Sequence, residues 1–282
     1  MIQDILPSVM DNSYRNKKPS DESKIVYFRE GKLMIKVDGS TDDFEFPLWK
    51  EVRGNESGET ASEPVFLFSI DKDDYFLVWN VERMPENAEF RAVNDIRKLK
   101  LSGHVNIFAV FTAYHLWKWY SVNRCCGVCG SPMVHSERSR SMRCPECGNK
   151  VYPRINPAVI IGVTNGDNLL LIRYRERYRH NALVAGFTEI GETVEETVAR
   201  EVMEETGLRI KNIRYYKSQP WGIAEDVLMG FYCDVDGDDT IHIDEHELKY
   251  AEWVRREDII LQPADYSLTN EMMKMFKEGN NV

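Results

Sequence analysis

Polar and apolar positions change their rhythm several times along the chain. Residues 11–24 are polar and charged with no apolar period, which reads as a solvated segment. From Ile25 the spacing becomes that of strands. 25-IVYFREGKLMIKV-37 predicts two strands about a turn at Glu30–Gly31, and 44-FEFPLW-49, 65-VFLFSI-70 and 75-YFLVWN-80 add aromatic and β-branched runs. The stretches 88-AEFRAVNDIRKLKL-101 and 104-HVNIFAVFTAYHLWKWYSVN-123 read as helices. In the second, Ile107, Phe108, Phe111 and Tyr114 recur at three- and four-residue steps, a stripe suited to a core or a subunit interface. Short apolar runs return at 158-AVIIGVT-164, 168-NLLLIRYR-175, 210-IKNIRYY-216, 227-VLMGFYCDV-235 and 250-YAEWVRR-256, before an amphipathic segment from Ser267 to Glu278. Strands and helices alternate irregularly and include hairpins. The expectation is a mixed α/β (α+β) sandwich rather than a doubly wound parallel sheet.

Length and charge narrow the picture. At 282 residues the chain exceeds one comfortable core, so two or more domains are expected. A formal net charge of −10 argues against a general electrostatic grip on nucleic-acid backbones. An acidic protein handles phosphates by recruiting divalent cations that invert the local sign. No apolar run approaches the ~18 residues that cross a bilayer, and the start lacks the basic and apolar regions of a secretory leader.

Cysteine placement adds a first piece of chemistry. Five of the six cysteines fall between Cys125 and Cys147, a clustering that fits a metal site in a reducing, cytoplasmic setting better than a disulfide scaffold. 126-CGVC-129 and 144-CPEC-147 are two C-x-x-C knuckles, and Gly130 and Gly148 follow them where a tight turn is needed. Four thiolates from Cys126, Cys129, Cys144 and Cys147 close a tetrahedral zinc site, structural rather than catalytic, with one ion per chain. Cys125 is left over beside the site, and Cys233 falls in a strand as a small apolar residue. Arg124, Arg138, Arg140 and Arg143 around the hairpin make a modest basic patch, open to nucleic acid or simply to solvent.

A second constellation is the glutamate-rich 186-GFTEIGETVEETVAREVMEETGL-208. On a helix Glu201, Glu204 and Glu205 share one face, and three hard anionic donors suit Mg²⁺ or Mn²⁺. Arg200 is spaced to pair with Glu192 or Glu196, Val198, Ala199 and Val202 supply a buried stripe, and Gly207 ends the helix. Gly186 and Gly191 are expected to let the preceding loop turn sharply.

This stretch resembles the Nudix box: glycine, five residues, glutamate, seven residues, then Arg-Glu-apolar-x-Glu-Glu-x-Gly-apolar, with every defined position filled. A four-cysteine ribbon before it, 152-YPRINP-157 after the ribbon and 218-SQPW-221 beyond the box are similar to the NADH pyrophosphatase (NAD⁺ diphosphatase) subfamily, over roughly residues 85–282. That resemblance implies a Nudix α/β/α sandwich with a mixed sheet over 154–282, a zinc ribbon over 122–153 and a β-rich N-terminal domain with helices over 1–121. It also implies metal-dependent hydrolysis of the diphosphate of NAD(H) to nicotinamide mononucleotide and AMP, possible NAD-cap removal from RNA, and a homodimer. Glu201 and Glu205 would be the primary metal ligands and Glu204 a further ligand or base. The Ala185 carbonyl and Glu247 would complete the metal shell. Tyr152 and Phe187 would stack on bases, Ser218, Gln219, Trp221 and Asp226 would face the substrate, and Arg91 would reach the dinucleotide. The chain departs from the subfamily after Trp221. It reads Gly222-Ile223-Ala224-Glu225-Asp226 in place of Pro-Phe-Pro-x-Ser, which puts the substrate in question. ADP-ribose or a sugar nucleotide remains an alternative substrate, and a non-catalytic nucleotide sensor an alternative class.

Overall fold

The computed structural model describes residues 1–37, 43–54, 63–99, 103–175, 180–263 and 265–280. Its contacts divide the chain into two compact units: 3–154 together with 222–225, and 155–221 together with 226–282 and the first two residues.

The first unit is built on antiparallel hairpins closed by one parallel pairing. Its strands are β1 (Met10–Asp11), β2 (Lys24–Arg29), β3 (Lys32–Val37), β4 (Phe44–Glu45), β5 (Val65–Ile70), β6 (Asp73–Val78) and β7 (Ala88–Ala92). They form a sheet in the order β1-β5-β6-β2-β3-β4, with β7 also on β3. The β2–β3 hairpin turns at Glu30 and Gly31, both with positive φ (52° and 75°), the geometry of a two-residue type I′ turn. Short helices α1 (Trp49–Val52) and α2 (Val93–Ile96) precede the long α3 (Val105–Val122). Ile107 and Phe111 of α3 are buried, and Trp117 stacks on Phe28 with ring centroids 4.4 Å apart.

Three sequence expectations change here. Residues 88–101 do not form one helix: 88–92 pair along β3, 93–96 make a single helical turn, and 100–101 lie outside the described residues. Tertiary pairing overrides local propensity, since Phe90 packs edge-on against Tyr27 and Arg29 covers its ring at 3.9 Å. In 44–49 only Phe44–Glu45 is strand, because Pro47 has no N–H for the ladder and α1 starts at Trp49. Residues 11–24 begin and end in strands and are irregular between, but they are anchored: Asp11 pairs with Ser69, the Tyr14 hydroxyl donates to the Ser136 carbonyl at 2.6 Å, and Lys17 pairs with Asp74 at 2.5 Å.

The ribbon belongs to the same unit. Strands β8 (Val134–His135), β9 (Met142–Arg143) and β10 (Lys150–Val151) form a small antiparallel sheet in the order β10-β9-β8.

The second unit is a helix–sheet–helix sandwich. Its strands are β11 (Asn156–Asn165), β12 (Asn168–Tyr174), β13 (Val184–Phe187), β14 (Ile210–Trp221), β15 (Asp226–Val235) and β16 (Leu248–Arg255), in the order β14-β15-β11-β12-β16 with β13 also on β11. β11 and β15 run parallel; the other pairings are antiparallel. Both faces are apolar, and strict alternation sorts the side chains between them. Val159, Ile161, Val163, Leu170 and Ile172 pack under helix α4 (Val194–Thr206), whose Val198 and Val202 are fully buried. Ile160, Leu169 and Leu171 pack under α5 (Leu268–Lys277) with Met272, Met273 and Phe276. Cys233 sits in the first of these cores, as its strand position suggested. Ala199 is exposed, so the buried stripe of α4 runs instead through Thr197, Val198, Val202 and Thr206.

Candidate active site

The glutamate helix is held at both ends. Thr193 caps its N-terminus reciprocally: the Glu196 amide donates to Thr193 Oγ1 at 3.2 Å, and the Thr193 amide donates to Glu196 Oε2 at 2.8 Å. Glu196 is thereby committed to the cap, and Arg200 pairs with Glu192 alone of the two expected partners. Gly207 ends the helix in the left-handed conformation (φ 70°).

Arg200 ties the loop to the helix. It donates to Glu192 at 2.5 and 2.9 Å, to Glu201 at 2.7 Å, to Glu204 at 2.9 Å and to the Phe187 carbonyl at 2.9 Å. These bonds hold the Glu192 carboxyl down at about 2. Gly191 turns with φ 101° as expected, but Gly186 does not turn: it lies in β13 opposite Val159. Its need for glycine is spatial. A Cβ there would fall 2.0 Å from the Glu201 carboxylate, so the missing side chain is the space that carboxylate occupies against the strand.

Glu205 is the most confined of the acids, with 3% of its surface exposed. Its Oε1 accepts a hydrogen bond from the Tyr174 hydroxyl at 3.2 Å, and that hydroxyl lies 3.3 Å from the Ala185 carbonyl oxygen. Its Oε2 is buried, and among the described residues nothing donates to it. Burial pushes the carboxyl up to about 8; the Tyr174 bond opposes this, and the charges of Glu201, Glu247 and Asp244 add to it. Glu201 is raised as well, by burial first, with Arg200 opposing and Glu204 and Glu247 adding. Three carboxylates therefore crowd the C-terminal half of a helix whose last turn carries no basic residue, at the negative end of its dipole. A divalent cation fits this donor set, since it would take up the orphaned oxygen and neutralise the crowded charge. Glu201, Glu205 and the Ala185 carbonyl are the groups that would hold it, and the charges of Glu204 and Glu247 act on Glu201. Tyr174 and Asp244 were not singled out from the sequence. One ends an apolar strand and the other sits in a loop, and no spacing rule links either to the box.

The cysteines make a separate centre. Cys126, Cys129, Cys144 and Cys147 place their sulfurs within 4.8 Å of one another, and among the described residues no other group of three or more potential ligands is gathered this closely. The Cys126–Cys147 and Cys129–Cys144 sulfur pairs are 3.6 and 3.5 Å apart. A tetrahedral zinc with ~2.3 Å bonds sets its sulfurs about 3.8 Å apart, so the cage matches the ion. Gly130 and Gly148 close the knuckles with φ near 76° and 77°. Cys125 is exposed beside the site. The expected arginine patch is smaller than the sequence suggested: Arg140 is spent on Asn12 and the Leu67 carbonyl, and Arg124 lies over the Trp79 ring.

The remaining expected residues fall in two places. In the second unit, Phe187 is exposed at the end of β13, and Trp221 and Asp226 form the last pair of the β14–β15 ladder. Ser218 is half-buried in β14. Gln219 is fully buried; its amide donates to the Tyr266 carbonyl at 2.7 Å and accepts from the Leu268 amide at 2.8 Å. That makes Gln219 an anchor for the start of α5. In the first unit, Tyr152 is exposed and Arg91 on β7 is paired with Glu89.

Comparison with known proteins agrees with this geometry. Residues 154–276 match the NUDIX domain and residues 123–152 match the NADH pyrophosphatase zinc ribbon domain. The chain is 32% identical over 225 residues to the NAD-capped RNA hydrolase NudC of Escherichia fergusonii, 79% of this chain and 80% of that protein. The chain belongs to the Nudix family. The protein of the same name from Shigella flexneri is 38% identical over 79% of this chain and 80% of its own length. That from Klebsiella pneumoniae is 38% identical over 56% of this chain and 62% of its own. The Nudix domain thus carries the glutamate helix, and the zinc ribbon carries the four-cysteine cage.

Proposed function

We propose that this Nudix chain hydrolyses the diphosphate bond of NAD(H) to nicotinamide mononucleotide and AMP, and acts on the same bond in NAD-capped RNA. The observation that carries the reading is the buried Glu205 carboxylate, with one oxygen held by Tyr174 and the other unclaimed, beside Glu201 and the Ala185 carbonyl. The relatives' name, NAD-capped RNA hydrolase, supports the choice of substrate. Divalent cations in this site, Mg²⁺ or Mn²⁺, would neutralise the diphosphate and lower the pKa of the attacking water.

The chain's own groups supply the rest. Glu201 and Glu205 would hold the cations, while Arg200 fixes the strand end that carries Phe187. Glu204, the most exposed of the three acids with 59% of its side chain open, accepts the proton as water attacks phosphorus. The bond from that phosphorus to the bridging oxygen breaks, and the oxygen leaves with the second phosphate. Phe187, half exposed at the strand end, offers a flat face to a base. One zinc per chain in the cysteine cage, a homodimer and a cytoplasmic location complete the proposal.

The deciding experiment incubates the protein with NADH, NAD⁺, ADP-ribose, nucleotide sugars and NAD-capped RNA, with Mg²⁺ or Mn²⁺. Faster cleavage of either NAD form, free or on RNA, supports the reading. A strong preference for ADP-ribose or a sugar nucleotide overturns the substrate but keeps the chemistry. Sedimentation as a monomer at micromolar concentration overturns the dimer.

A further inference from the structure

Three elements meet at one hydroxyl. Tyr174 is the last residue of β12, Ala185 lies on β13 and Glu205 on α4; the Tyr174 oxygen is 3.3 Å from the Ala185 carbonyl oxygen and 3.2 Å from Glu205 Oε1. The strand is shaped to deliver it. Along β12 and β16, Arg173 faces Tyr250 but Tyr174 faces Leu248, so Lys249 has no opposite number and the ladder slips by one residue there. The extra residue lies on β16, while β12 stays regular, so Tyr174 follows Leu170 and Ile172 on the face turned to α4. The ring of Tyr174 packs against the apolar core under α4, so its hydroxyl is the polar tip of an otherwise apolar residue.

The two oxygens it touches both belong to the donor set for the cation. They repel one another, and no described peptide group donates to the Glu205 carboxylate to hold it in place. A hydroxyl carries one proton and faces two acceptors here, so it bridges them rather than satisfying either fully.

We infer that Tyr174 is a positioning residue of the divalent-cation site, whose hydroxyl sets the spacing of the Glu205 carboxylate and the Ala185 carbonyl before the cation arrives. The inference rests on the Nudix reading of that site but not on which dinucleotide is cleaved. Partners that orient metal ligands in this way are commonly worth about ten- to a hundredfold in metal affinity.

Tyr174→Phe removes the hydroxyl and keeps the ring. Mn²⁺ binding is measured by electron paramagnetic resonance on the zinc-containing full chain, beside wild type and Glu205→Gln, with thermal midpoints recorded without added cation. The expected result is an Mn²⁺ dissociation constant raised about tenfold or more, an unchanged midpoint, and activity restored by excess Mn²⁺. Wild-type Mn²⁺ affinity in Tyr174→Phe overturns the inference and leaves the Nudix reading standing. Wild-type binding that does not depend on Glu205 overturns both. A lowered midpoint with unaltered Mn²⁺ affinity marks the hydroxyl as structural and overturns it too.

Discussion

Glu205→Gln tests the electrostatic character of the site without any substrate. In the folded chain the carboxyl is held near pH 8, against an ordinary value of 4.5. Below pH 4.5 it is neutral in both folded and unfolded chains and imposes no penalty. As pH rises from 4.5 to 8 the unfolded chain releases this proton while the folded chain retains it, so folding stability falls throughout that window and levels off above it. Between pH 5 and pH 8 the span is about 3 units, or about 4 kcal/mol at 1.36 kcal/mol per unit. Relaxation of the site and entering water reduce this to about 2 kcal/mol in practice. The glutamine amide has its own packing cost, but that cost does not vary with pH and cancels in the comparison. The assay is urea unfolding of both proteins at pH 5 and pH 8, with zinc retained and no other cation added. The stability of the variant relative to wild type rises by roughly 2–4 kcal/mol from pH 5 to pH 8. Saturating Mg²⁺ or Mn²⁺ then shifts the comparison back toward wild type, which alone gains about 3 kcal/mol at a hundred times its dissociation constant. A difference constant with pH to within about 0.5 kcal/mol refutes the picture of a buried, charge-crowded acid.

Gly186→Ala places a methyl 2.0 Å from the Glu201 carboxylate; displacement of that ligand lowers kcat/KM by about a hundredfold or more, with circular dichroism unchanged. Cys144→Ser breaks the sulfur cage, so elemental analysis finds zinc lost and the ribbon's amides exchange with solvent like an unfolded segment. Gln219→Ala removes the bonds to the Tyr266 carbonyl and from the Leu268 amide, destabilising the second unit by about 2–4 kcal/mol in urea unfolding. KM for any cleaved substrate stays within about twofold if Gln219 is an anchor rather than a substrate contact.

What the sequence made legible was whatever a short period or a fixed spacing encodes. The short apolar runs in 158–164 and 168–175 fit strands buried on both faces, and the structure sorts those side chains between two helices. The knuckle spacing and the box were readable for the same reason, since turn and helix geometry place their donors together locally. Contacts between elements were not legible. Tyr174 shares the α4-facing side of β12 with Leu170 and Ile172, but that Glu205 and the Ala185 carbonyl come within reach of its hydroxyl depends on the packing of β13 and α4, which no local pattern announces. The strand at 88–92 exists because β3 has an edge to pair, whereas its own residues favour a helix. Gly186 was expected to serve a turn, but its role is to make room for the Glu201 carboxylate, fifteen residues away in helix α4, a distance that only the fold closes.

The most direct test of the central claim is product analysis of NADH incubated with Mn²⁺ and either wild type or Glu205→Gln. Wild type is expected to give equimolar reduced nicotinamide mononucleotide and AMP, and the variant turnover lowered by about a thousandfold or more, with the fold retained. Wild-type turnover in Glu205→Gln, or products other than the two monophosphates, would contradict it.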